Sequence, residues 1–140
     1  GLAGNDSEGG LFSLLSYRDP HLVRTLDVYR EAVDWACGGD FSDEMIREAV
    51  LAVFGEMDRP LSPGGRGYRE FLHQQQGLTL EMRQALRDNV LAMTRDQLVA
   101  AAAFLAGNWQ KSAIGVLAGE DMFKAEEDRL AELGMRISKI

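Results

Sequence analysis

The run Leu11-Phe-Ser-Leu-Leu-Ser-Tyr-Arg-Asp-Pro-His21, with Thr25-Leu-Asp-Val-Tyr29 close behind it, constrains the fold of this chain more than any other stretch. Leu11, Ser13, Leu15 and Tyr17 alternate with Phe12, Leu14 and Ser16, so a strand over 11–17 carries apolar groups on both faces. Such a strand is ordinarily covered on both sides, which calls for a layered structure. Asp19-Pro20 then offers an N-cap and a proline at the first helical position, where its missing N–H costs nothing. Leu22, Leu26, Tyr29, Val33 and Ala36 follow at helical spacing, and Gly38-Gly39 ends the helix.

The segments on either side supply the rest of the layout. Residues 1–10 read as an irregular loop entering the strand. Ser42, backed by Asp43 and Glu44, opens a second helix with Met45, Ile46, Ala49, Val50, Val53, Phe54 and Met57 on a broad apolar face. Asp58-Arg-Pro-Leu-Ser-Pro-Gly-Gly-Arg-Gly67 breaks the pattern and predicts a loop, with a short helix over 68–76. Thr79 caps a helix running to about residue 93 with Leu86 and Val90 inward, and Thr94 with Gln97 forms a capping box for a helix through Leu105. Ser112-Ala-Ile-Gly-Val-Leu-Ala118 then predicts a buried strand, 120–133 an acidic amphipathic helix, and 135–140 a closing strand. The expected fold is α+β in a single domain over 1–140, with a helical block over 20–106 and a strand-helix-strand over 111–140. Its helices pack on one side of a small, mainly antiparallel sheet. Three strands make a meagre sheet, so further strands are expected from residues outside this chain.

Composition narrows the function classes. At 140 residues and 46% hydrophobic, the chain can bury one core of ordinary size. A net charge of -7 argues against nucleic acid, whose phosphates call for clustered Lys and Arg. No apolar run approaches the ~20 residues a membrane-spanning helix needs, so no membrane is expected. Cys37 is the single cysteine and has no internal disulfide partner. No basic stretch followed by an apolar one opens the chain, and its start reads like the middle of something longer.

The Ser16-Tyr-Arg-Asp-Pro20 block and the Thr25-Leu-Asp-Val-Tyr29 helix resemble the C-terminal part of the presequence proteases. These are large zinc metallopeptidases of the pitrilysin and insulinase superfamily, which digest short unfolded peptides in a closed chamber. Asp58-Arg-Pro-Leu-Ser-Pro-Gly64, Gly67-Tyr68, Gly77-Leu-Thr79 with Met82-Arg-Gln84, and Met93-Thr-Arg-Asp-Gln-Leu98 fit in the same order, so the resemblance covers nearly the whole length. It implies a parent enzyme whose zinc sits in an N-terminal half, on an inverted His-x-x-Glu-His motif and a more distant glutamate. This chain has only His21 and His73, neither in such a motif, so it is expected to bind no zinc and to be inactive alone. The family's carbonyl-holding arginine and tyrosine fall upstream of residue 1, with Gly1-Leu-Ala-Gly4 continuing their segment. The implied partners are the zinc-bearing half of the same polypeptide and short unfolded peptides as substrate. The implied compartment is a bacterial cytoplasm, or a mitochondrial matrix or plastid in a eukaryote.

No catalytic or metal-binding residue is assigned within the chain, and its substrate-binding residues are left open. His21, in the first turn of a helix, reads as a surface residue, and His73, beside three glutamines, as structural or exposed. Cys37 ends an apolar stripe and reads as a small buried thiol rather than a nucleophile. Gly64-Gly-Arg-Gly67 lacks the Lys-Ser/Thr ending of a phosphate loop and reads as a flexible turn, and Lys111-Ser112 leads into a strand rather than a helix. Glu120, Asp121 and Glu126-Glu-Asp128 read as a solvated helix face. Arg18, directly after the strand, reads as a partner for Asp19 or for a neighbouring domain. Against the peptidase reading stands a free-standing α+β interaction module without chemistry.

Overall fold

A computed structural model describes residues 1–6 and 9–138. They fall into two units, Gly1–Trp35 with Ala102–Ile140, and Ala36–Ala101. The first begins with a hairpin in which β1 (Leu2–Asp6) runs antiparallel to β2 (Leu11–Leu15), with Leu2 opposite Leu15 and Asp6 opposite Leu11. The expected loop over 1–10 therefore holds a strand. Its glycine, asparagine and aspartate have poor strand propensity, and the ladder offered by β2 overrides it. β2 itself stops at Leu15 rather than Tyr17, because Ser16 already belongs to the next turn. The result is α+β, a two-stranded antiparallel sheet beside a chain that is mostly helix.

Helix α1 (Val23–Gly38) starts later than Asp19-Pro20 suggests. Its exposed N–H groups are satisfied from far along the chain. The Glu126 carboxylate accepts from Leu22 N–H at 3.4 Å and Val23 N–H at 3.0 Å. A carboxylate at a helix N-terminus neutralises free donors and meets the positive end of the helix dipole. Around that contact, Leu22, Val23 and the fully buried Leu130 form the core of this unit, with Val116, Ala118, Met122, Phe123 and Met135 packed against them.

Residues 112–118 supply Val116 and Ala118 to that core, yet among the described residues they join no ladder. Neither do residues 135–138, while the last part of the expected closing strand, 139–140, lies outside the described residues. Apolar alternation marks burial, but a strand also needs a partner edge, and neither segment has one here. The expected helix over 120–133 is broken into α6 (Glu120–Ala125) and α7 (Glu127–Glu132) at Glu126, with φ -122°. Gly134, at φ +67°, then reverses the chain. Its N–H donates to Ala131 O and that of Met135 to Leu130 O, the two bonds of a Schellman ending. Met135 is thereby returned onto Leu130, the apolar contact that usually accompanies this ending.

The second unit is helical, and its helix starts are written locally. In α2 (Asp43–Met57), α3 (Pro63–Gln75) and α4 (Leu80–Leu91), the hydroxyls of Ser42, Ser62 and Thr79 accept from Met45, Gly65 and Met82 N–H. For α5 (Arg95–Asn108), Thr94 and Gln97 close the expected capping box, Thr94 N–H donating to Gln97 Oε1 at 2.9 Å. The predicted loop over 58–67 is shorter than expected. Ser62 as N-cap and Pro63 in the first turn start a helix that carries three glycines with it. Leu86 is exposed rather than inward, while Val90 is half-buried. Arg95 joins the end of α1 to the start of α2, donating to Gly39 O at 2.9 Å and Asp43 at 2.7 Å beside the buried Phe41. Arg87 pairs with both Asp58 oxygens, at 2.6 and 3.0 Å, and lies over the Phe54 ring.

Candidate functional site

The turn between β2 and α1 is organised by one carboxylate. Asp19 accepts from Ser16 Oγ at 2.7 Å, from His21 N–H at 2.9 Å and from Thr25 Oγ1 at 2.7 Å. Each residue type is needed: two hydroxyls to donate, a carboxylate with two oxygens to receive, and Pro20 to fix the backbone between them. These bonds, that from Ser16 first, lower the Asp19 pKa from 3.8 to about 2. A carboxyl depressed in the folded state stabilises fully above its unfolded pKa and loses that contribution as pH falls through the folded value. Between roughly pH 4 and pH 2 the turn is therefore expected to loosen. An NMR titration of the Asp19 carboxyl checks this, and Asp19→Asn should remove that portion of the acid dependence. A carboxyl titrating near its ordinary value would show that the three bonds do not persist in solution.

The same turn presents two side chains outward. Arg18 adopts φ +55°, the only positive value among the described residues other than glycine. Its guanidinium lies 5.3 Å from the centre of the Tyr17 ring, and Tyr17 is 84% exposed. Arg18 does not pair with Asp19, whose oxygens are already taken, so the first of its two expected roles is corrected.

The other residues singled out in the sequence are scattered. His21 is exposed and contributes backbone atoms to the turn. His73 Nδ1 lies 2.9 Å from an Arg83 nitrogen, and both meet Glu70, a cluster that ties α3 to α4. Cys37 is half-buried on α1 rather than fully enclosed. Gly64–Gly67 is helix, and Lys111 ends a short 3₁₀ turn over Trp109–Lys111. Among the described residues no three His, Cys, Asp or Glu side chains come together as a metal site. Glu126 departs most from its sequence reading. It is half-buried and caps α1, when spacing alone placed it on a solvated face.

Residues 1–118 match the PreP C-terminal domain. The chain belongs to that family. This agrees with the resemblance carried by the turn and by Thr25–Tyr29. The mitochondrial presequence protease of Danio rerio is 40% identical to this PreP C-terminal domain over 114 residues, covering 81% of the chain and 11% of that protein. That of Mus musculus is 42% identical over 92 residues, 66% of the chain and 9% of that protein. Presequence protease 1 of Arabidopsis thaliana, named as chloroplastic and mitochondrial, is 34% identical over 125 residues, 89% of the chain and 12% of that protein. The PreP C-terminal domain described here thus spans about a tenth of the length of these relatives.

Proposed function

We propose that this domain is the zinc-free C-terminal portion of a zinc metalloendopeptidase that degrades short unfolded peptides. In this reading it forms part of a chamber wall and supports the upstream segment that holds the substrate carbonyl. It cleaves nothing by itself. The observation that carries the proposal is the family match over 1–118, joined by relatives that are presequence proteases by name. The residues add support of a second kind. Among the described residues His21 and His73 are not gathered with further possible ligands, and in this reading the zinc chemistry belongs to the other half of the polypeptide. An unfolded peptide suits such a chamber because its free backbone groups can pair with a strand edge. A mitochondrial or plastid compartment follows the relatives' names, and the bacterial cytoplasm has no counterpart among the three described above.

A fluorogenic-peptide assay tests this on the longer polypeptide and on this chain, each with and without a zinc chelator. Cleavage by the longer polypeptide that the chelator abolishes, with an inert domain, is the expected result. Absence of cleavage by both overturns it and leaves the interaction module.

A further inference from the structure

We propose that the group of arginines where side chains of α3 and α4 meet is a binding site for a doubly charged phosphate oxyanion, gripped by Arg69 and Arg66. The group lies within Ala36–Ala101. It goes beyond the peptidase reading and does not depend on it.

Arg66, Arg69, Glu70 and His73 recur along α3 at the three- and four-residue spacing that puts side chains on one helix face. Arg83 and Arg87 stand one turn apart on α4. The two carboxylates that these side chains meet are already committed. Asp58, the C-cap of α2, receives both terminal nitrogens of Arg87, at 2.6 and 3.0 Å. Glu70 receives Arg83 at 2.7 Å, with His73 Nδ1 3.5 Å away. Arg69 is left over. Among the described residues it forms no ion pair, and its Nε–H is shut off from solvent without an acceptor. Its charge is nonetheless felt at Asp58, whose carboxyl is held below its ordinary value first by the Arg87 hydrogen bonds and least by Arg69. A desolvated donor with no acceptor costs free energy, and here it belongs to a half-buried cation. Arg66, one turn nearer the helix start, is exposed and likewise forms no ion pair among the described residues.

The ligand follows from donors and charge. The side edge of a guanidinium, Nε–H beside a terminal N–H, fits two oxygens of one anion, and a rotation of the Arg69 side chain turns that edge outward. Two unmatched cations call for two negative charges. One phosphoryl group carries close to that near neutral pH, and one carboxylate carries half of it. Asp58 does not repel such a ligand strongly, because Arg87 already neutralises it. In a chain of net charge -7 the positive excess is local, so an anion is held by contact rather than drawn from a distance.

The test is a phosphorus NMR titration of inorganic phosphate with the longer polypeptide, zinc being chelated so that phosphate on the metal is not counted. Saturable binding is expected, weakened on the order of tenfold by Arg69→Gln and roughly threefold by Arg66→Gln. Arg69→Lys keeps the charge without the fork and should fall between wild type and Arg69→Gln. Arg47→Gln, on α2, should change nothing. Methyl phosphate binding as well as the free ion supports a phosphorylated small molecule as the occupant, and its exclusion supports the free ion. Absence of saturable binding, equal weakening by Arg47→Gln, or acetate binding as tightly as phosphate overturns the proposal. Should Arg69→Gln fail to fold, the exposed Arg66 decides, and an unchanged affinity in Arg66→Gln counts against the site. Binding is read without cleavage, so its failure and that of the peptidase reading are separate results.

Discussion

Leu130→Ala is expected to destabilise the unit built from Gly1–Trp35 and Ala102–Ile140 by about 3 kcal/mol. Among the described residues Leu130 is the one large side chain with no exposure, and it clusters with Leu22 and Val23 from the opposite end of the sequence. It also anchors the Schellman ending, since its carbonyl accepts from Met135 N–H. Truncation leaves a cavity lined by half-buried neighbours such as Val116 and Phe123, which relax only in part. Urea denaturation should show a lowered midpoint at an unchanged slope. Leu130→Met, close in volume, should lose less than about 1.5 kcal/mol. A loss below ~1 kcal/mol for the alanine variant would mean that this cluster is not the core.

Glu126→Ala is expected to lose about 1–2 kcal/mol, where a glutamate on a solvated helix face would shift stability by no more than ~0.5 kcal/mol. Removing the carboxylate leaves the Leu22 and Val23 amides without their acceptor at a partly buried helix start. Those two amides should also exchange with solvent faster, while amides in the middle of α1 keep their protection. Glu126→Gln retains an oxygen but not the charge, so an intermediate loss separates hydrogen bonding from the dipole contribution. Equal behaviour of all three proteins would remove Glu126 from its capping role.

Two X-Pro pairs show what was legible in the sequence. Ser62-Pro63 and Asp19-Pro20 carry the same local instruction, an N-cap followed by a proline of the first turn. Only the first is obeyed, because the Ser62 hydroxyl is free to accept from Gly65 N–H. The Asp19 carboxylate is instead shared among Ser16, His21 and Thr25, and the helix waits for Val23. Caps whose donor and acceptor lie within three residues, as at Ser42, Thr79 and Thr94, could be read directly. The cap from Glu126 could not, since no local pattern reveals a partner 103 residues away. Strand signals failed for a related reason. Residues 112–118 have the right apolar content but, among the described residues, no edge to pair with, whereas β1 has poor content and a partner. Of the candidate site, Ser16 to Thr25 was visible as a motif, while the Arg18 backbone conformation was not.

The cap from Glu126 also orders events during synthesis. The first turn of α1 leaves the ribosome before its acceptor has been made, and the missing 103 residues take about 5–20 s to add at ordinary elongation rates. Meanwhile Ala36–Ala101, whose helix N-caps are all local, has been synthesised before Glu126 is added. The hairpin and the start of α1 are expected to be the last parts to become protected, and until then Leu22 and Val23 are open to chaperones and proteases as they never are in the finished protein.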